Sequence, residues 1–180
     1  MNWTAQVSAL AGIILICAAY FFKTHRALTC SISLGLVAWS VHFLMLGAYT
    51  ASALAMLSAL RVFAGLFVFR LEPGSRFLAT AFSLLLSGVV AYLTWEGWRS
   101  IPVTVGVLLA TIGGYHFDGQ ALRGWLLGAE TFFLFNALLV GSKLALIGSL
   151  ASIVFVCIAC WKHWRVSSEK SAGVVMASEK

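Results

Sequence analysis

The chain has 180 residues, of which 61% are apolar and 10% are charged, and its formal net charge is +6. A soluble domain of this length could not remove so much apolar surface from water, whereas a lipid bilayer acts as a solvent for it. The composition excludes an ordinary soluble protein. The basic residues form no cluster on a soluble domain, so a nucleic-acid partner is not expected.

Apolar segments of bilayer length follow one another along the whole chain. A helix needs about 20 predominantly apolar residues to cross a bilayer. We predict a single all-α membrane domain over 1–180 with seven transmembrane helices, at 6–22, 27–47, 49–70, 77–95, 101–117, 121–141 and 143–162. Pro73 breaks the chain after the third helix, and Pro102 opens the fifth. The small, polar segment 166–180 is predicted to be a disordered cytoplasmic tail.

The basic residues predict the orientation of these helices. With the N-terminus outside, nine of them fall in cytoplasmic segments, and two, Arg99 and Lys143, fall in outer segments. Cytoplasmic loops carry the excess of lysine and arginine in membrane proteins. The pattern therefore predicts an N-out, C-in topology, and the positive charge is a consequence of that topology.

The chain matches itself at an offset of 94 residues. Segment 11–67 falls on 105–161 without a gap, and nine of the 57 positions are identical. The segment Leu44–Gly47 at the end of the second helix falls on Leu138–Gly141 at the end of the sixth. We predict two parallel three-helix repeats, 6–70 and 101–163, joined by a linker helix at 77–95. Transporters built from such repeats bind substrate at the repeat interface, near the midplane.

Four short segments resemble the YgjV-type bacterial inner-membrane proteins. They are Gly12, the Val41-His42-Phe43-Leu44 run leading to Leu46-Gly47, Ala59-Leu60-Arg61, and Asn136 followed by Gly141-Ser142. The resemblance covers nearly the whole chain and implies a multi-pass protein of the bacterial inner (cytoplasmic) membrane. The family has a histidine at the position of Asn136, and polar residues in the last helix where this chain has apolar residues and cysteines. The 3+1+3 layout is also similar to the SWEET and PQ-loop transporters, although no Pro-Gln motif is present.

Two charged residues lie near the centres of predicted helices, Arg61 in the third and Glu130 in the sixth. A charge at the bilayer midplane costs about 2.5–3.5 kcal/mol on insertion scales, so such residues usually face a partner or a wet cavity. We expect the two to meet across the bundle. The pair is then either a structural lock between the halves or a gate or substrate clamp. Glu130 could instead carry a proton and couple to proton movement, because loss of water disfavours a charged carboxyl.

Three further residues belong to the candidate site. His42 and Asn136 are equivalent in the repeat and could form one polar layer. Alternatively, and in preference, each bonds a neighbouring backbone or serine group and holds helices together. Trp39 could stack against a flat or sugar-like solute or simply fill the core. No second ligand is spaced to help His42 bind a metal ion, so no metal site is predicted.

These residues favour a small-solute transporter or facilitator whose path is lined by Arg61, Glu130, His42, Asn136 and Trp39. Arg61 favours an anionic solute, and a neutral polar solute if it is paired with Glu130. The alternative is a non-transporting scaffold or sensor that assembles with itself, as a homo-oligomer, or with another membrane protein. The sequence holds no glycine-rich phosphate loop, HExxH or GxSxG motif, so neither an enzyme nor a cofactor is predicted.

Overall fold

The part of the chain that the structure describes forms seven α-helices. The computed structural model describes residues 3–19, 22, 24–68, 72–117 and 119–178, with side chains up to residue 161 except at positions 25, 28, 119, 120 and 159. Over these residues there is no strand, and a single 3-10 turn, Gly97–Arg99, precedes the fifth helix. The helices are α1 (Trp3–Ala19), α2 (His25–Met45), α3 (Tyr49–Val68), α4 (Pro73–Leu93), α5 (Ser100–His116), α6 (Gly119–Val140) and α7 (Lys143–Ser178). The predicted all-α class and the seven helices are confirmed.

The last helix is longer than the sequence predicts. It continues to Ser178, past the predicted end of the span at position 162 and through most of the segment 166–180 predicted as a disordered tail. No proline interrupts this segment, and Glu169, Lys170 and Ala172 favour helix. Positions 179 and 180 lie outside the described residues.

Two helix ends are built in the same way. Gly47 follows α2 and Gly141 follows α6, with φ of 74° and 73°, a backbone conformation that glycine adopts without steric cost. After α2, the amide of Ala48 donates to the carbonyl of Phe43 at 3.0 Å, and after α6, the amide of Ser142 donates to that of Ala137 at 3.1 Å. This is the Schellman arrangement, which satisfies helix-terminal carbonyls and turns the chain sharply.

Small residues fill the interior, and large apolar residues cover the outside. Eleven of the sixteen buried apolar residues in the described part are alanine, while Phe77, Phe82 and Leu85 of α4 are among many large side chains that are about two-thirds exposed. Helices in lipid gain little from burying leucine or phenylalanine, and small residues let their backbones approach closely. The distribution suits a bundle solvated by lipid.

By length and composition, two helices of the described part are able to cross a membrane, Tyr49–Val68 and Pro73–Leu93. The apolar segments Trp3–Ala19, Thr29–Met45 and Lys143–Ile158 are shorter. α1 packs on α2 and α2 on α3, while α5 packs on α6 and α6 on α7. α4 packs against α3 and α5, α3 also meets α5, and α1 meets α7. These contacts leave a space between α1, α2 and α3 on one side and α5, α6 and α7 on the other.

Candidate functional site

A cavity of about 110 Å³, here named the central cavity, lies between the helices. Every helix except α4 contributes to its wall, and most of the lining is apolar. The lining residues are Ile13, Ile16, Cys17, Leu36, Trp39, Phe43, Ala51, Ala55, Ser58, Val103, Val107, Glu130, Phe133, Asn136, Ala145, Gly148, Ser149 and Ser152. A cavity of this volume, with several polar groups in its wall, has room for a few water molecules or one small solute.

Among the described lining residues, Glu130 is the one with a carboxyl side chain. Its side chain keeps part of its surface accessible although it lies within the helical bundle. Within the described part of the chain, neither an ion pair nor a hydrogen bond joins its carboxyl group to another residue. An ionisable group that faces a cavity inside a membrane bundle usually takes part in function.

Two further polar groups in the cavity wall are unused. The Ser58 hydroxyl is buried, with 5% of the residue exposed, and its Oγ has no hydrogen-bond partner in the described part of the chain. The Asn136 side chain is 3% exposed and bonds to none of the residues that the structure describes. A buried polar group left without a partner costs roughly 1–3 kcal/mol, so each such group calls for an explanation. A molecule in the cavity would supply the missing partners.

Trp39 forms an aromatic wall of the cavity. The indole packs closely against two glycines. A Cβ added at Gly12 would lie 3.0 Å from Trp39 Cδ1, and a Cβ added at Gly148 would lie 2.8 Å from Trp39 Cζ2. The ring also stacks on Phe43, with 5.7 Å between centroids and 27° between planes. Trp39 is therefore held between α1 and α7, and its indole lines the cavity.

Arg61 is not part of the cavity wall. Its Nη1 donates to the carbonyl oxygen of Val107 at 3.1 Å, and the Thr111 hydroxyl donates to the same oxygen at 2.6 Å. Arg61 thus fastens α3 to α5. The expected meeting with Glu130 does not occur, since no ion pair joins the two among the residues described. The two charges lie in helices whose neighbours differ, and hydropathy did not define the facing side of either.

His42 is a structural bridge. It is 3% exposed, its Nδ1 lies 2.7 Å from the carbonyl oxygen of Ala5, and its Nε2 lies 2.7 Å from Ser142 Oγ. A carbonyl only accepts, so Nδ1 donates to Ala5, and in a neutral ring Nε2 accepts from the serine. Ser142 Oγ also accepts from the amide of Ala145 at 3.1 Å and so caps α7. Both ring nitrogens are used, as the helix-holding interpretation predicts.

A second pocket, here named the α2–α3 pocket, lies beside the turn between those helices and has a volume of about 100 Å³. Its wall includes Glu96 and Arg99. Glu96 Oε1 accepts from the amides of Tyr49 and Thr50 and so caps α3. Three residues, Ala51, Val103 and Asn136, line both this pocket and the central cavity. Asn136 therefore stands between the two spaces.

Of the five predicted site residues, the structure brings Trp39, Glu130 and Asn136 to one cavity and leaves Arg61 and His42 out of it. Sequence reasoning missed Ser58, Phe133 and the cap at Glu96. One signal was available for Ser58, which is identical to Ser152 at the 94-residue offset, and both serines line the cavity. No pattern in the sequence pointed to Glu96, because its partners lie about 46 residues away.

Comparison with known proteins gives the family. The model of the Imp-YgjV family, described as a bacterial inner membrane protein, matches residues 3–170. No curated protein and no solved structure matches the chain. The match covers all seven helices except the last residues of α7. The chain belongs to the Imp-YgjV family of bacterial inner membrane proteins.

Proposed function

We propose that this protein is a small-solute transporter or facilitator rather than an enzyme, and that its path runs between the two groups of three helices. One observation carries the proposal: the central cavity holds a carboxyl group that is unpaired among the described residues, and the cavity shares three wall residues with the α2–α3 pocket. Transport requires a polar site inside the membrane that connects to an entrance. The α2–α3 pocket would be that entrance, and Asn136 would lie at the constriction.

The internal repeat supports this path. Six pairs of lining residues are related by the 94-residue offset, namely Ile13/Val107, Leu36/Glu130, Trp39/Phe133, Ala51/Ala145, Ala55/Ser149 and Ser58/Ser152. The two Schellman turns at Gly47 and Gly141 obey the same offset. Two parallel three-helix repeats with α4 as the linker account for both facts, and a cavity shared by two repeats is where transporters bind substrate. The pair Leu36/Glu130 makes the site chemically asymmetric.

The predicted orientation gives the path a direction. If the N-terminus is outside, the α2–α3 turn faces outward, and the α2–α3 pocket opens toward the periplasm. The central cavity lies deeper. We infer that the conformation described is open, or nearly open, toward the outer side.

The rival interpretation is a scaffold or sensor that uses the helices for assembly. It predicts a dry, closed seam between the halves, because helix association in lipid depends on close packing. The Ser58 hydroxyl, which has no hydrogen-bond partner among the described residues, and the free volume beside it favour the transport interpretation.

Flux through reconstituted vesicles tests the proposal. We would measure osmotic swelling of proteoliposomes with a panel of small polyols, carboxylates and alkylammonium salts. Ser149→Phe places an aromatic ring in the central cavity, while Leu150→Phe places the same ring on the exposed surface of the same helix. We expect the wild type and Leu150→Phe to raise the permeability to at least one solute class, and Ser149→Phe to abolish it. Swelling equal to that of protein-free vesicles for all solutes would contradict the proposal and favour a scaffold.

A further inference from the structure

The proposed function does not specify the class of solute. The residues of the cavity wall indicate which class fits. We propose, resting on that function, that the central cavity binds a small organic cation, an alkylated or quaternary ammonium group, with Glu130 as its counter-ion. This differs from the anionic solute that Arg61 suggested in the sequence.

The charged groups of the cavity wall favour a cation. The described lining residues include Glu130 and no lysine, arginine or histidine. Arg61, the cation expected to face the path, instead donates to the Val107 carbonyl. An anion in this cavity would meet a carboxyl group without a compensating positive charge, whereas a cation would find a partner in a region of low dielectric.

Two aromatic side chains in the cavity wall also favour an alkylated ammonium group. Trp39 and Phe133 occupy equivalent positions of the two repeats, and both line the cavity. Phe133 lies one helical turn beyond Glu130 on α6, so a carboxyl and an aromatic ring share one face of that helix. Electron-rich ring faces attract cations, and alkylated ammonium groups are the ligands that such aromatic cages recognise. The packing of Trp39 between Gly12 and Gly148 keeps the indole in the wall.

The polar groups and the volume of the cavity favour a small organic ion over a metal ion. Ser58, whose hydroxyl has no hydrogen-bond partner among the described residues, and Asn136 supply uncharged hydrogen-bonding groups in the same cavity wall as the carboxyl. A divalent metal ion would require several oxygen ligands with charge, and this lining supplies one carboxylate among apolar walls. A volume of about 110 Å³ is somewhat smaller than a cavity of about 150 Å³ that binds benzene. The ligand is therefore an ion with few non-hydrogen atoms.

A pair of probes that differ in charge alone tests the inference. Calorimetric titration of the full-length protein in lipid nanodiscs would compare choline with 3,3-dimethylbutan-1-ol, its uncharged carbon analogue, and would add tetramethylammonium as a smaller probe. We expect saturable binding of a quaternary ammonium probe and at least about tenfold weaker binding of the uncharged analogue. Equal binding of the charged and uncharged probes, or no binding of either ammonium probe, would overturn the inference.

Two variants locate the binding site. Glu130→Gln removes the carboxyl charge with little change in shape and is expected to remove the preference for the charged probe. Glu72→Gln makes the same change at an exposed carboxyl, at the start of α4, that makes no side-chain cap bond, and it is expected to bind like the wild type. An undiminished preference in Glu130→Gln would overturn the assignment of the counter-ion. If that variant does not fold, the two probes on the wild type still decide between a charged and an uncharged ligand.

The binding and flux experiments fail independently. Ammonium binding without flux of any solute would leave the binding site intact and remove the transport function. Flux of polyols or carboxylates without ammonium binding would leave transport intact and remove the cation site.

Discussion

Replacement of Gly148 by alanine tests whether Trp39 is held in the cavity wall as described. The new methyl carbon would lie 2.8 Å from Trp39 Cζ2 and 3.2 Å from Ile13 Cγ1. Carbon atoms in contact rest about 3.5–4.0 Å apart, so the indole has to move by roughly 1 Å. Gly12 closes the other side of the ring, where an added Cβ would already be 3.0 Å away.

The effect of Gly148→Ala on the free energy of unfolding is the sum of two opposing contributions, overpacking and helix propensity. Overpacking a tight site costs about 1–3 kcal/mol. Alanine favours a helix interior over glycine by about 1 kcal/mol, which partly offsets that cost. Gly88→Ala supplies the second term alone, because Gly88 is exposed in α4 and an added Cβ there meets nothing within 4 Å. Relative to Gly88→Ala, Gly148→Ala should therefore lower the free energy of unfolding by about 1–3 kcal/mol.

Reversible unfolding in mixed micelles with an increasing fraction of denaturing detergent measures this difference, with helix content as the signal. Both variants carry the same chemical change in a helix, so the comparison isolates the contact with Trp39. Equal stabilities of Gly148→Ala and Gly88→Ala would show that the indole does not lie against α7. The description of the cavity wall would then be incorrect.

Three further predictions concern groups around the site. His42→Ala should lower the free energy of unfolding by about 1–3 kcal/mol because it leaves two buried bonds unmade, whereas Asn136→Ala should change it less, and equal losses in thermal denaturation would contradict the contrasting roles. Arg61→Met should leave ammonium binding within about twofold of the wild type, since a change of that size is under half a kcal/mol, and a larger loss in calorimetry would place this arginine in the site after all. Glu96→Ala should lower stability by about 0.5–2 kcal/mol through loss of the α3 cap, while Glu72→Ala, which loses no cap bond, should not, as judged by the same unfolding assay.

Much of the fold could be predicted because long apolar segments separated by short breaks mark the positions of the helices. The predicted starts at 49, 101 and 143 lie within one residue of α3, α5 and α7, and proline and glycine mark several breaks. The end of α7 could not be predicted in this way, because the bilayer sets no limit on a polar helix that continues beyond it.

The site was harder to predict because nearly every helix face is apolar. In a soluble protein, the apolar stripe shows which side of a helix faces inward, but lipid accepts apolar residues on the outer side too. The sequence therefore placed Arg61 and Glu130 at depth without showing which way each points. Small residues carry the missing information, since Ala51, Ala55 and Ser58 mark the cavity-facing side of α3 while Leu60 is 63% exposed.

Contacts between residues that are far apart in the sequence were also difficult to predict. His42 meets Ser142 across 100 positions, and that contact depends on how α1, α2 and α7 assemble. No local pattern encodes it. The 94-residue offset is the one long-range signal within the chain, and it relates Ser58 to Ser152 and Trp39 to Phe133 from the order of the residues alone.

Access of water to the central cavity tests directly whether a hydrated path runs between the two groups of three helices. Ser58→Cys would be made in a chain whose four native cysteines are replaced, since a thiol closely matches the unpartnered hydroxyl at this position. Leu60→Cys, two residues along the same helix and exposed toward lipid, is the matched control. We predict that a membrane-impermeant thiol reagent labels Ser58→Cys and leaves Leu60→Cys unlabelled in intact membranes. A correctly inserted Ser58→Cys protein that is not labelled from either side of the membrane would contradict the account and make the space between the two halves a dry seam.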